Sequence, residues 1–145
     1  MDLMNPNVVL DTNVFVSALS SRRGASFRIL QLIGAGLFQV ELSVALALEY
    51  ESVGRRSLPQ TNLSDKQFDD ILNYVCQSAR HREVFFTWRP HLPDPGDDMV
   101  LELAVASGGA TIVTFNLADF READRLGVRV LQPQEFLVAL GELKP

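Results

Sequence analysis

A single cysteine, Cys76, stands in the chain, so no intramolecular disulfide can form. It falls in an apolar helical stretch, where a lone thiol serves as a small buried hydrophobe. Lysine is almost missing too, with Lys66 and Lys144 alone. Against 18 Asp and Glu there are 13 Lys and Arg, giving a net charge of −5. That lack of basic excess argues against a protein that coats DNA or RNA. It does not exclude an enzyme whose bound cations offset phosphate charge, because such ions can be the largest local charges in a site. His81 and His91 are isolated and read as surface residues; with Cys76 they form no Cys/His cluster, which argues against zinc. No apolar run approaches the ~20 residues of a membrane span. Residues 1–7 are short and contain Asp2, unlike a signal peptide. The expectation is a cytoplasmic protein.

What is present suits one domain over residues 1–145, with 47% hydrophobic and 21% charged residues. Apolar β-branched runs predict strands at residues 8–10, 38–42, 110–114 and 128–131, with a short one at 84–88. Helices are expected over 14–19, 26–35 (ended by Gly36), 44–53 after a Ser43 cap, from Ser64 onward, 97–107 and 119–125, with a terminal helix opened by Pro133. Loops are expected around Pro59 and over residues 89–96. Strands alternating with helices predict a three-layer α/β/α sandwich with a central, mostly parallel sheet.

Carboxylates mark the ends of two of these strands. The first run is Val8-Val9-Leu10-Asp11-Thr12-Asn13, and the second is Thr111-Ile112-Val113-Thr114-Phe115-Asn116-Leu117-Ala118-Asp119. In a parallel sheet the carboxyl ends of the strands form the ligand-binding edge. Glu49 sits in a helix that is apolar nearly all round (Ala45, Leu46, Ala47, Leu48, Tyr50), and a carboxylate buried there needs a partner. Asp97 and Asp98 open the helix after Pro93-Asp94-Pro95-Gly96. Taken singly, Asp94 and Asp97 suit a helix N-terminus, Glu49 a solvated helix face and Asp119 a cap. Asp11 is the hardest of them to explain structurally. Converging together without Lys or Arg, these acids would repel one another. Mg²⁺ or Mn²⁺, hard ions that take oxygen ligands, would resolve that repulsion.

These runs carry a resemblance. With Val-Phe-Val-Ser-Ala-Leu after Asn13, and with residues 94–104 between the two strand ends, the chain resembles the PIN domain, a ribonuclease fold used by many toxins of toxin–antitoxin pairs. The resemblance covers nearly the whole chain. It implies a metal-dependent endoribonuclease with Asp11, Glu49, Asp97 and Asp119 as the metal-binding acids. Thr12, Asn13, Thr114 and Asn116 would support them by hydrogen bonding. Many relatives carry an aspartate where Asn116 stands, so the fourth ligand is either Asn116 itself or Asp119. Of the adjacent acids Asp97 and Asp98, the family pattern favours Asp97. Such an enzyme uses bound Mg²⁺ or Mn²⁺ to activate water and to stabilise charge on the phosphate.

An acidic protein needs local positive charge to hold RNA. Arg22, Arg23 and Arg28 follow the first acidic run, and Arg55 and Arg56 follow the Glu49 helix. Arg22, Arg23, Arg55 and Arg56 are the expected RNA contacts. Arg80 and Arg82 follow a helix carboxyl end, where the dipole explains them at least as well as RNA contact does. A toxin needs a separate antitoxin, and Phe27, Leu30, Ile33 and Leu46 are candidates for that surface or for a homodimer interface, with core packing the better reading for most. Three rivals stand beside this reading. A haloacid-dehalogenase-type phosphatase wants a second acid where Asn13 stands and a lysine in the latter half, where only Lys144 exists. A non-catalytic PIN-fold binding or regulatory module keeps the fold without the chemistry. A DNA or structure-specific nuclease shares the same site.

Overall fold

The computed structural model describes residues 5–84 and 95–145. Most of the strand expected at 84–88, the stretch 89–94, His91 and Asp94 lie outside the described residues. Within them the elements run β1 (Asn7–Leu10), α1 (Thr12–Ser20), α2 (Ala25–Leu32), β2 (Gln39–Leu42), α3 (Val44–Ser57), α4 (Asp65–Ser78), β3 (Arg80–His81), α5 (Pro95–Ala106), β4 (Thr111–Val113), β5 (Val130–Leu131) and α6 (Pro133–Ala139). Two 3-10 segments, Leu58–Gln60 and Leu117–Leu126, follow α3 and β4.

All five strands are parallel, in the order β3-β2-β1-β4-β5. From β1 the chain winds outward through β2 to β3, then crosses back to β4 and β5. Right-handed crossovers therefore place α1 to α4 on one face and α5 with the second 3-10 segment on the other. The direction reverses between β1 and β4, where open α/β sheets bind ligands beyond the strand ends. Asp11 is the residue after β1, and Thr114 is the residue after β4.

Local chemistry explains most boundaries. The Ser43 hydroxyl accepts from the Leu46 N–H (3.1 Å) and starts α3. Ser64 and Gln67 close a capping box at α4. Helix α2 ends three residues before residue 35, because Ile33 leaves the helical region and Gly34 takes φ +86. Helix α3 runs beyond residue 53 to Ser57 and passes directly into the Pro59 turn. The expected helix 119–125 is a 3-10 segment kinked at Phe120. Strand β3 was not foreseen from the sequence.

The core sits on both faces of the sheet. Val8, Val9, Leu42, Ile112 and Val113 are fully buried, as expected for parallel strands covered on two sides. Phe15 stacks on Tyr50 with ring centroids 4.6 Å apart and meets Phe68 edge-on. Helices α3 and α4 approach closely at Gly54, where a Cβ would lie 2.6 Å from the Phe68 ring. Ile33 and Leu46 belong to this core, and Phe27 and Leu30 are half-buried. Cys76 is half-buried against the core, and burial pushes its thiol pKa up. His81 is exposed, with its Nε2 2.7 Å from the Cys76 carbonyl oxygen.

Candidate active site

Strand β1 ends in a carboxylate because the next peptide turns directly into α1. Asp11 is the N-cap residue of α1, and its Oδ1 accepts from the Thr12 N–H at 2.8 Å. Its Oδ2 accepts from the Thr114 hydroxyl at 2.8 Å, across the switch point from β4. That hydroxyl in turn accepts from the Asn116 N–H at 3.0 Å and from Asn13 Nδ2 at 3.5 Å. Thr114 thus uses its one donor and both acceptor positions within the site. Asn13 also accepts the Phe115 N–H through Oδ1, at 3.4 Å. From α3, Glu49 presents Oε2 to the Thr12 hydroxyl, which donates at 2.9 Å. The neighbouring residue, Tyr50, is fully buried and donates its hydroxyl to the Leu10 carbonyl, fixing α3 against the end of β1.

The electrostatics of this corner are unusual for a structural site. Asp11 is only 8% exposed. Burial raises its carboxyl pKa above the ordinary value; the hydrogen bonds from Thr114 and Thr12 pull it down, and the charges of Glu49 and Asp119 push it up again. The structure therefore brings Glu49 and Asp119 within electrostatic reach of Asp11. Among the described residues, no arginine or lysine pairs with any of the three. Burial also pushes the Tyr50 hydroxyl well above its usual range, with Asp11 adding to the effect.

Asp97 and Asp98 lie in the first turn of α5, which packs against β1 and β4. Asp98 is buried and Asp97 half-buried. Asn116 and Asp119 are exposed at the start of the segment after β4, and the Asp119 N–H donates to the Asn116 carbonyl at 3.1 Å. Among the described residues, no three carboxylates close into a ready-made cage. An open arrangement still fits a hard divalent ion, because Mg²⁺ keeps several waters and takes only one or two carboxylates. Asp11, flanked by like charges and held by neutral donors, offers the oxygen chemistry such an ion requires.

The arginines expected near the site separate into distinct environments. Arg55 is taken up by three carboxylates, at 2.7 Å from Asp69, 3.3 Å from Glu51 and 3.5 Å from Asp65, and lies over the Phe68 ring. It joins α3 to α4. Arg56 is exposed and its Nε donates to the Ser52 carbonyl at 3.4 Å. Seven residues past Glu49, Arg56 shares its helix face about 10 Å further along. Arg22 and Arg23 are exposed in the turn after α1, about 13 Å along that helix from Asp11. Arg28 pairs with Glu142 at 3.1 Å.

Arg80 and Arg82 have a partner that the helix-dipole reading did not include. Both point at Glu41, a carboxylate in β2 whose side chain is fully buried. Sequence reading missed Glu41. The available signal was a charge between Val40 and Leu42 in a buried strand, matched by arginines two residues apart in an alternating Arg-His-Arg run.

A family model described as "PIN domain" matches residues 7–118, well over half of the chain. A comparison with curated proteins gives no match. PIN domains are generally nucleases and typically use divalent metal ions. The chain belongs to the PIN-domain family.

Proposed function

We propose that this chain is a Mg²⁺- or Mn²⁺-dependent endoribonuclease and the toxin of a toxin–antitoxin pair, restrained by a separate protein antitoxin. One observation carries the nuclease reading: Asp11 is buried at the switch point beside Glu49 and Asp119, with neutral donors and no partner cation among the described residues. A bound Mg²⁺ or Mn²⁺ would supply the missing positive charge, polarising the scissile phosphate and the attacking water. Asp11, Glu49, Asp119 and one of Asp97 and Asp98 would hold it.

The chain's own residues prepare that site. The Thr114 hydroxyl and the Thr12 N–H fix both oxygens of Asp11. The Thr12 hydroxyl sets the Glu49 carboxylate, and Asn13 ties the loop after β4 to the start of α1. A carboxylate of the cluster accepts the proton of the attacking water. The water oxygen bonds to phosphorus, the bond to the 3′ oxygen breaks, and that oxygen takes a proton from solvent, so the products carry 5′-phosphate and 3′-hydroxyl ends. The exposed Arg56, on the Glu49 face of α3, is the best placed of the expected RNA contacts.

The test is cleavage of labelled single-stranded RNA by the purified protein with Mg²⁺, Mn²⁺ or EDTA, beside Asp11→Asn. Metal-dependent cleavage that disappears in the variant supports the assignment. Cleavage that persists in Asp11→Asn removes Asp11 from the chemistry. Single-stranded DNA run in parallel separates the ribonuclease from a DNA nuclease. A folded protein that binds RNA without cutting it is a binding module.

A further inference from the structure

Phe115 interrupts the pattern of the second acidic run. It stands between Thr114, whose hydroxyl bonds Asp11, and Asn116. Its backbone N–H is held by Asn13, so its position is fixed by the same residues that order the candidate active site. Yet it is 44% exposed, and among the described residues it makes no ring contact with another aromatic. The other phenylalanines at the sheet, Phe15, Phe38, Phe68, Phe120 and Phe136, are all buried. Leu117, two residues on, is also exposed at 37%. Six residues on in the chain, Arg121 folds back so that its Nε donates to the Ala118 carbonyl at 3.1 Å, and its exposed guanidinium makes no ion pair among the described residues.

A large ring left in water at the edge of an acidic site, followed six residues later by an exposed guanidinium without an ion pair among the described residues, supplies the two groups that proteins use to hold unstacked nucleic acid. The ring takes a base face and the cation takes the backbone. We infer that Phe115 is a base-stacking residue for the nucleotide next to the phosphate bound at Asp11, with Arg121 contacting the adjoining backbone. The inference rests on the nuclease reading and adds to it a substrate-binding residue outside the acidic set. A duplexed base has both faces covered, so stacking on Phe115 requires the base to be unpaired or splayed out.

Steady-state cleavage of a labelled single-stranded oligoribonucleotide with Mn²⁺ tests this in wild type and in Phe115→Ala, Phe115→Leu and Phe115→Trp. Thermal unfolding of each variant confirms folding, and the exposed position makes large losses unexpected. Losing one base stack raises KM by about 5- to 150-fold. Phe115→Ala and Phe115→Leu should show that rise with a smaller change in kcat, and Phe115→Trp should keep the wild-type KM. Arg121→Gln should lower the slope of log binding against log salt by about 0.7. A wild-type KM in Phe115→Ala, or equal losses in the Leu and Trp variants, overturns the stacking role while the nuclease reading stands. Wild-type protein that neither binds nor cleaves the oligonucleotide overturns both.

Discussion

Replacing Arg82 with methionine should destabilise the fold far more than a typical surface change. Glu41 is fully buried, and Arg82 meets both its oxygens, with Nε 3.1 Å from Oε2 and Nη2 3.3 Å from Oε1. Arg80 adds one longer contact at 3.5 Å, and its side chain is 52% exposed. Methionine keeps much of the aliphatic bulk of Arg82 and removes its charge. Breaking a buried pair by removing one partner costs about 3–5 kcal/mol. Arg82 is itself 30% exposed and Arg80 remains in reach, so the lower figure of about 2–3 kcal/mol is expected. In a chain of this size that lowers Tm by about 4–12 °C. Glu41→Gln keeps the shape and removes the charge, which should cost about 1–2 kcal/mol. If the two residues act as a pair, the double variant loses less than the sum of the single losses by about 1 kcal/mol or more. Urea unfolding followed by circular dichroism at neutral pH measures all four proteins. An Arg82→Met loss under about 0.5 kcal/mol, or strict additivity in the cycle, would refute the argument that this carboxylate depends on Arg82.

Thr114→Val preserves shape and removes the donor to Asp11 and the acceptor for Asn116 and Asn13. It should cost about 1–3 kcal/mol in metal-free thermal unfolding and weaken Mn²⁺ binding by calorimetry. Gly54→Ala places a methyl 2.6 Å from the Phe68 ring and should destabilise by about 1–3 kcal/mol despite alanine's higher helix propensity, as read by denaturant midpoint. The raised carboxyl pKa of Asp11 gives a pH signature in EDTA: its stabilising effect is complete below the unfolded value near 3.8 and is lost as pH rises through the folded value. Asp11→Asn cannot ionise, so its Tm relative to wild type should rise between pH 4 and pH 7; a constant difference contradicts the burial argument. Mn²⁺ at 100 times its Kd should stabilise wild type by about 2.7 kcal/mol and Asp11→Asn by much less.

The parallel sheet and the placing of the acidic residues were legible because both depend on short-range pattern. Buried β-branched runs such as Val8-Val9-Leu10 mark strands without help from the rest of the fold. An acid directly after such a run falls at the ligand edge by topology alone. What stayed hidden depends on long-range contact. Strand β3 is two residues long, and only its pairing with Glu41 and Leu42 reveals it. Nothing in the sequence says that Asp65 and Asp69 on α4 reach Arg55, so the arginine looked available for RNA. Helix ends shifted where a single residue decided them, as at Gly34, because fraying and turn geometry cost little either way.

Two of the buried carboxylates, Glu41 and Asp11, receive opposite treatment. Glu41 is met by two guanidinium groups, as a buried charge serving stability must be. Asp11 is nearly as buried, yet its oxygens meet a hydroxyl and an amide, and its charged neighbours Glu49 and Asp119 share its sign. Shortage of arginine does not explain the difference, since Arg22 and Arg23 stand in solvent without partners among the described residues. Neutral donors orient a carboxylate without neutralising it, and so leave its charge available to something the chain does not itself supply. A buried carboxylate with a raised pKa at a sheet's switch point is a candidate functional residue. A divalent cation is the simplest ligand that would relieve the repulsion among Asp11, Glu49 and Asp119 while using the geometry that Thr12 and Thr114 impose.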